Sequence, residues 1–180
     1  MTVQVLQTLW FFVPAYLANM APVVAQGHFG WLDRPLDGGR MWRGTRIFGA
    51  HKTWRGLVAG TLTGVAAVAG QRLLYDAGWL RSLAPIDYGD TTLALGVLLG
   101  LGTGVGDAIK SFFKRRVGIA PGHSWIGFDQ LDFMLGAYVA AVPVHAPPVL
   151  PFLLCLPIVM VGSVLVTTVS YELGLKESWI

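Results

Sequence analysis

Five apolar segments divide this chain, and each is long enough, or nearly long enough, to cross a lipid bilayer as a helix. A crossing needs roughly 20 apolar residues. The segments cover approximately residues 3–25, 57–74, 91–109, 131–144 and 149–171. Hydrophobic residues make up 54% of the chain and charged residues 13%, which argues against a disordered chain and against a soluble domain. We therefore predict an all-α fold, a polytopic membrane helix bundle with about five transmembrane helices and a single domain over residues 1–180.

The distribution of basic residues predicts the orientation of this bundle. Six Lys and Arg residues lie in the first loop, residues 27–55, and four lie in the third, residues 110–130, whereas the second loop has only Arg81 and the fourth has none. The positive-inside rule then places the first and third loops in the cytoplasm, with the N-terminus outside and the C-terminus inside. Because residues 2–27 contain no Lys or Arg, the first segment is expected to be a retained helix rather than a cleaved signal peptide.

Residues 106–132, GDAIKSFFKRRVGIAPGHSWIGFDQLD, place many ionisable side chains between two apolar segments. Such groups inside a membrane or at its edge are functional candidates by default. Their spacing of three, four and seven residues predicts one polar helical face at the end of the third segment. That face carries Asp107, Lys110, Ser111 and Lys114.

A second polar face is predicted where the fourth segment begins, because Asp129 and Asp132 are three residues apart. The intervening turn contains Pro121 and Gly122, which allow the two faces to approach each other. Three carboxylates that converge at a membrane edge suit Mg²⁺, which prefers oxygen ligands and takes others from water and phosphates. The same acids also suit a charge patch paired with the neighbouring Lys and Arg residues, and the spacing leaves both interpretations open.

The first loop ends in a second polar element, GAHKTWRG, at residues 49–56. Lys52, Thr53 and Arg55 lie where the second helix is expected to begin, at about Gly56. A helix N-terminus with adjacent basic residues is a favourable site for an anion. The alternative is that these bases only extend from the membrane boundary into water. No basic stripe interleaved with aromatic residues is found on a soluble face, so nucleic acid is not an expected partner.

In these motifs the chain resembles the CDP-lipid synthases, which are membrane cytidylyltransferases. The family pattern of Ser, Lys-Arg, Pro-Gly-His and Asp-x-x-Asp corresponds here to Ser111, residues 114–115, 121–123 and 129–132. The family's Lys-Lys-Thr-x-x-Gly element corresponds to residues 51–56. Three features resemble the archaeal branch, which makes CDP-archaeol. They are the short five-span chain, the Asp-Gln-x-Asp form of the last motif, and the run Ala18-Asn19-Met20-Ala21-Pro22.

The resemblance implies a reaction, a cofactor and a role for each motif. CTP would react with an unsaturated archaeal ether lipid phosphate, 2,3-di-O-geranylgeranylglycerol 1-phosphate, to give the CDP-lipid and pyrophosphate. The bacterial and eukaryotic pattern has a Lys-Asp pair and a longer spacer after Lys-Arg, and both are missing here. Mg²⁺ would therefore be held by Asp107, Asp129 and Asp132. These three residues and Lys114 are the predicted catalytic residues. The predicted substrate-binding residues are Lys52, Thr53, Arg55, Lys110, Ser111, Arg115 and His123.

Two other functions are compatible with the sequence. One is a phosphatidate cytidylyltransferase that makes CDP-diacylglycerol, since the chains of a lipid are recognised by apolar surface that the sequence does not specify. The other is a small membrane transporter that uses the acids as an ion path. For the enzyme, the expected location is the cell membrane, with several crossings and an active site that faces the cytoplasm.

Overall fold

The computed structural model describes residues 1–88, 93–120, 123, 125 and 127–172, with residues 166, 167, 170 and 171 described by their backbone alone. These residues form five α-helices: α1 (Thr2–Val24), α2 (Trp54–Asp76), α3 (Ala94–Arg116), α4 (Phe128–Ala141) and α5 (Val149–Glu172). The first loop contains a short antiparallel hairpin of β1 (Met41–Trp42) and β2 (Thr45–Arg46), and single 3₁₀ turns cover Gly30–Leu32 and Arg81–Leu83.

The predicted helical bundle is confirmed, with differences at the helix ends. Within the described residues, α2 and α3 are long and apolar enough to cross a membrane, and α5 contains a shorter apolar stretch, Val149–Leu165. Helix α3 continues to Arg116, beyond the end of its apolar segment, because the basic residues of its last turn suit the negative end of the helix dipole. The predicted turn residues Pro121 and Gly122 lie outside the described residues.

Helix α3 is the central element, with α2 packed on one side and α4 on the other, while α1 covers α2 and α3. Glycine lets the backbones touch. A Cβ built on Gly64 would lie 2.5 Å from the Gly96 carbonyl oxygen, and one built on Gly136 would overlap the carbonyl oxygen of Gly102. Small residues at a helix interface allow this approach in lipid, where the hydrophobic effect does not drive helices together. We call the contacts of α3 with α2 and α4 the glycine seam.

A proline inside α1 creates a polar contact with α2. Pro14 has no N–H group, so the carbonyl of Trp10, four residues earlier, lacks its helical partner. The Gln71 side chain donates a hydrogen bond to this carbonyl across 2.6 Å. The contact supplies a backbone acceptor in an apolar environment with the partner that such groups need. Gln71 therefore ties α2 to α1 at the proline.

The first loop is organised by one buried carboxylate, that of Asp37, which is 5% exposed. Its Oδ1 accepts hydrogen bonds from Arg46 Nη2 at 2.5 Å and from Gly39 N at 2.9 Å. Its Oδ2 accepts from the backbone N–H groups of Phe48 and Gly49, each at 3.1 Å. Burial on its own would raise the pKa of Asp37, but these donors lower the pKa to about 2. Asp37 thus fixes both ends of the segment that contains the hairpin.

We expect Asp37→Asn to loosen the first loop, because the amide keeps one acceptor and places an NH₂ group where two backbone N–H groups need an oxygen. The loss should be on the order of 1–3 kcal/mol, the range for leaving a buried hydrogen-bonding group without its partner. The measurement is the rate of proteolytic cleavage between residues 38 and 48, which should rise in the variant while its helix content stays unchanged. Cleavage at the wild-type rate would contradict this role.

The same carboxylate predicts a pH dependence for the loop. Its pKa is lower in the folded chain than its ordinary value of 3.8, so its contribution to stability is complete above about pH 4 and is lost as the pH falls toward 2. Acid should therefore expose the wild-type loop to an acid-active protease over this range. The Asp37→Asn loop should show little of this dependence.

Candidate functional site

Three carboxylates from two helices meet at one ammonium group, that of Lys110. Lys110 Nζ lies 2.9 Å from Asp107 Oδ1, 2.9 Å from Asp129 Oδ1 and 2.9 Å from Asp132 Oδ2. Asp107 and Lys110 belong to α3, and both of the other acids belong to α4. The glycine seam makes this possible, since a Cβ on Gly106 would overlap the Asp132 carbonyl oxygen. We call Asp107, Lys110, Asp129 and Asp132 the acid cluster.

Asp129 is held in place by groups other than Lys110. Its Oδ2 accepts a hydrogen bond from the backbone N–H of Trp125 at 2.7 Å and from Lys114 Nζ at 3.0 Å. Lys114 also donates to the His123 carbonyl at 2.6 Å and is 8% exposed. Lys114 therefore joins α3 to the segment before α4 and holds Asp129 toward the acid cluster.

Gln130 lies between the two acids of the Asp-x-x-Asp motif and has a local role. Its Oε1 accepts a hydrogen bond from the N–H of Gly127, the residue that caps α4, at 2.7 Å. This contact satisfies one of the free N–H groups at a helix start. An Arg side chain has no acceptor and could not make it. Gln130 thus helps α4 to begin at Phe128, which places Asp129 and Asp132 in its first two turns.

Lys52 connects the first loop to the acid cluster, because its Nζ donates a hydrogen bond to Asp107 Oδ2. The backbone around it is extended, because its carbonyl accepts from Leu36 N at 2.7 Å and Trp54 N donates to the Arg34 carbonyl at 3.0 Å. Thr53 caps α2, where its Oγ1 accepts from Gly56 N at 3.2 Å. Helix α2 therefore starts at Trp54, two residues before the predicted Gly56.

The hairpin of the first loop rests on the end of α3. Arg116 donates to Thr45 Oγ1, and its guanidinium lies 4.5 Å from the centre of the Phe112 ring. The Trp42 ring meets the Phe112 ring edge-on at 5.7 Å. Together with the Lys52–Asp107 pair, these contacts put the first loop and the carboxyl end of α3 at the same end of the bundle.

A cavity of about 460 Å³ lies next to the acid cluster, between α1, the first loop, α2 and α3. Lys52 and Asp107 are in its wall, with Thr53 and Arg55. The Arg55 side chain forms an ion pair with Asp33, with 3.2 Å between Arg55 Nη2 and Asp33 Oδ1. The cavity therefore has charged side chains of both signs in its wall, and two of them, Lys52 and Asp107, are in contact with each other next to the acid cluster.

The polar residues of the α1 side were not predicted as site residues. The cavity wall includes Asn19 and Gln26 from α1 and its C-terminal side, Asp33 from the first loop, and Thr103 from α3. In the sequence, the run containing Asn19 is only a likeness to the archaeal branch. No spacing rule relates α1 to the third loop, so nothing in the sequence indicates that Asn19 lines the same cavity as Asp107.

Besides Lys110, three predicted substrate-binding residues lie outside the cavity wall. Ser111 is buried, with 5% exposure. The Arg115 side chain donates to the Ala120 carbonyl at 3.4 Å. The His123 side chain is exposed, and its carbonyl is the group that contacts Lys114. Contact of these three residues with a substrate stays a prediction.

The acid cluster has the donors that Mg²⁺ requires, but a cation of the protein occupies the point where they meet. The donors are carboxylate oxygens, and Asp132 Oδ2 is buried without a hydrogen-bond partner although it lies in an ion pair with Lys110. Among the residues that the structure describes, no three His, Cys, Asp or Glu side chains are disposed to share a metal ion. The residues therefore fit Mg²⁺ on the condition that the Lys110 ammonium moves away.

Comparisons with known proteins agree on one family. A family model described as CarS-like, CDP-archaeol synthase, matches residues 1–180. The CDP-archaeol synthase of Pyrococcus furiosus is 38% identical over 177 residues, which are 96% of each chain. That of Halorubrum lacusprofundi is 39% identical over 180 residues, 94% of each chain. A solved structure, described as an intramembrane enzyme for archaeal membrane lipids biosynthesis, is 31% identical and covers 88% of this chain and 90% of its own, with a TM-score of 0.70.

Proposed function

Because the chain belongs to the CDP-archaeol synthase family, we propose that it transfers the CMP moiety of CTP to an unsaturated archaeal ether lipid phosphate. The expected acceptor is 2,3-di-O-geranylgeranylglycerol 1-phosphate, and the products are CDP-archaeol and pyrophosphate. The observation that carries this proposal is the cavity in whose wall Lys52 and Asp107 meet, next to the three carboxylates. It offers a base suited to phosphate, Lys52, and one of the three carboxylates, Asp107, in the wall of a space that a nucleotide could enter.

The proposed reaction needs little proton transfer from the protein. An oxygen of the lipid phosphate attacks the α-phosphorus of CTP, the new P–O bond forms, and the bond to the β-phosphate oxygen breaks. A phosphate monoester is mostly dianionic at pH 7, since its second pKa is about 6, so the nucleophile is already deprotonated. This agrees with a site built from acids and lysines, in which Ser111 has no assigned nucleophilic role. The difficulty is to bring two polyanions together, which positioning and charge neutralisation overcome.

We assign the basic residues to the phosphates. Lys52 and Arg55 lie in the cavity wall and would bind triphosphate oxygens. Lys110 lies outside the wall, in contact with Asp107, and would bind the same phosphate group. Lys114 would hold Asp129 in position and, with Arg115, face the lipid phosphate. Asp107, Asp129 and Asp132 would hold Mg²⁺, which when bound would neutralise charge that develops on the phosphates.

The orientation in the membrane is part of the proposal. The Lys52–Asp107 and Arg116–Thr45 contacts support one polar end of the bundle, to which both basic loops belong. The positive-inside rule puts this end in the cytoplasm, where CTP is available. The protein would then be a multi-pass protein of the cell membrane with a cytoplasmic active site.

Pyrophosphate release tests the function directly. Purified protein in detergent with Mg²⁺, CTP and 2,3-di-O-geranylgeranylglycerol 1-phosphate should release pyrophosphate and form an equal amount of CDP-lipid, measured by mass spectrometry. Omission of the lipid phosphate is the control for simple CTP hydrolysis. Absence of CDP-lipid with every lipid phosphate tried would contradict the proposal and favour a transporter.

A competition experiment tests the lipid class. Equal amounts of the ether lipid phosphate and of an ester phosphatidic acid are supplied together, and the two CDP-lipids are counted in one sample. We expect an excess of the ether product. An excess of CDP-diacylglycerol would instead identify the protein as a phosphatidate cytidylyltransferase.

A further inference from the structure

Lys110 occupies the place at which a metal ion would bind. Its ammonium lies 2.9 Å from an oxygen of each of the three acids, and its side chain is 12% exposed. Three carboxylates this close would repel one another strongly if no cation stood between them. Lys110 therefore supplies the charge that keeps α3 and α4 together here.

The three contacts of Lys110 differ in geometry. The Asp132 side chain is 7% exposed, and its Oδ2 lies 2.9 Å from Lys110 Nζ as an ion pair without hydrogen-bond geometry. Asp107, by contrast, accepts a directed hydrogen bond from Lys110 at 2.9 Å. A hydrogen bond weakens steeply when its donor is poorly aligned with the acceptor. A cation that imposes no donor direction would satisfy this oxygen better than an ammonium group does.

We propose that Lys110 is a resident cation that Mg²⁺ displaces, and that the released ammonium then binds the triphosphate of the nucleotide. The identity of the nucleotide rests on the proposed function, but displacement by Mg²⁺ does not. Asp107 provides the route, because it contacts Lys110 through Oδ1 and the cavity residue Lys52 through Oδ2. Lys110 is thus one contact away from the cavity in which phosphates would lie.

Charge balance supports the exchange. In the structure the three acids are matched by Lys52, Lys110 and Lys114, each of which contacts at least one of them. Mg²⁺ alone would leave this partly buried site with two excess positive charges, a costly state at low dielectric. The negative triphosphate offsets this excess and gives the displaced ammonium a new partner.

The proposal predicts opposite changes for two ligands in Lys110→Met. Without nucleotide, Mg²⁺ no longer competes with an ammonium, so its Kd should fall at least about 10-fold. With Mg²⁺ saturating, CTP loses a phosphate contact, so its Kd should rise roughly 10-fold. Isothermal titration without lipid substrate measures both constants in the absence of turnover. A residue that only supports the fold would weaken both ligands together.

Two further variants make the test decisive. Lys110→Arg keeps a cation, so its Kd for Mg²⁺ should stay within a few-fold of the wild-type value. Arg72→Met removes an exposed cation from the pair with Asp76 and should change neither the Mg²⁺ nor the CTP constant.

If Lys110→Met folds only when Mg²⁺ is present, the metal has replaced the ammonium as proposed. An unchanged or weaker Mg²⁺ affinity, or failure to fold at any Mg²⁺ concentration, would overturn the proposal. Absence of CTP binding to wild type, with tighter Mg²⁺ binding in Lys110→Met, would count against the proposed function and leave metal displacement standing.

Discussion

Asp132→Asn is expected to lower CDP-lipid formation roughly 10³-fold while the protein still inserts and folds. The substitution keeps the shape of the side chain and removes the charge that faces Lys110, so the site loses one of three carboxylates for Mg²⁺. A single group that stabilises developing charge contributes about 10²–10³ in rate, and a metal ligand belongs in the upper part of that range or above it. Asp129→Asn should have a similar effect, because Asp129 contacts both Lys110 and Lys114.

The measurement is the initial rate of CDP-lipid formation at saturating CTP over a series of Mg²⁺ concentrations. Asp76→Asn is the matched control, since Asp76 is exposed, pairs only with Arg72 among the contacts described, and lies at the far end of α2. It should retain the wild-type rate. Near-wild-type rates in both Asp129→Asn and Asp132→Asn would contradict the metal assignment.

Gly136→Ala is expected to destabilise the fold by about 3 kcal/mol or more. Its new Cβ would overlap the Gly102 carbonyl oxygen and come within 2.8 Å of Gly106 Cα, and both neighbours are backbone that a rotamer change cannot move. Overpacking of a core costs about 1–3 kcal/mol even where side chains can adjust. Helices α3 and α4 would have to separate, and the acid cluster would separate with them.

Gly70→Ala provides the comparison within α2. A Cβ at Gly70 has no atom within 4 Å, so this substitution should be neutral or stabilising by roughly 0.5–1 kcal/mol through higher helix propensity. Thermal unfolding in detergent, followed by circular dichroism, should give a lower midpoint for Gly136→Ala and an equal or higher one for Gly70→Ala. Equal midpoints for the two variants would show that the seam tolerates separation.

Helical spacing alone predicted which side chains would share a face. Asp107, Lys110 and Lys114 follow the helical repeat, as do Asp129 and Asp132, so two facing polar surfaces could be inferred from sequence. Which lysine stands at the centre could not, because Lys110 and Lys114 are on the same face of α3. The choice depends on how closely α4 approaches, and that distance is set by the Gly106 and Gly136 contact.

Contacts between segments that are distant in the sequence could not be predicted from helical spacing or turn residues. Lys52 and Asp107 are 55 residues apart, and only the packing of α2 on α3 brings them together. The burial of Asp37 depends on the return of residues 46–49 after the hairpin. The place of Asn19 in the cavity likewise required the packing of α1 on α2 and α3.

The glycine seam also separates the geometry of the acid cluster from the thickness of the surrounding bilayer. A helix that does not match the local hydrocarbon thickness responds by tilting. At the glycines of the seam, backbone meets backbone, so no flexible side chain lies between the helices at these points that could yield as one helix tilts against its neighbour. We therefore expect α2, α3 and α4 to tilt as one body. The carboxylates of α3 and α4 keep their spacing in thin and thick membranes alike, including a membrane whose lipids the protein's own product would alter.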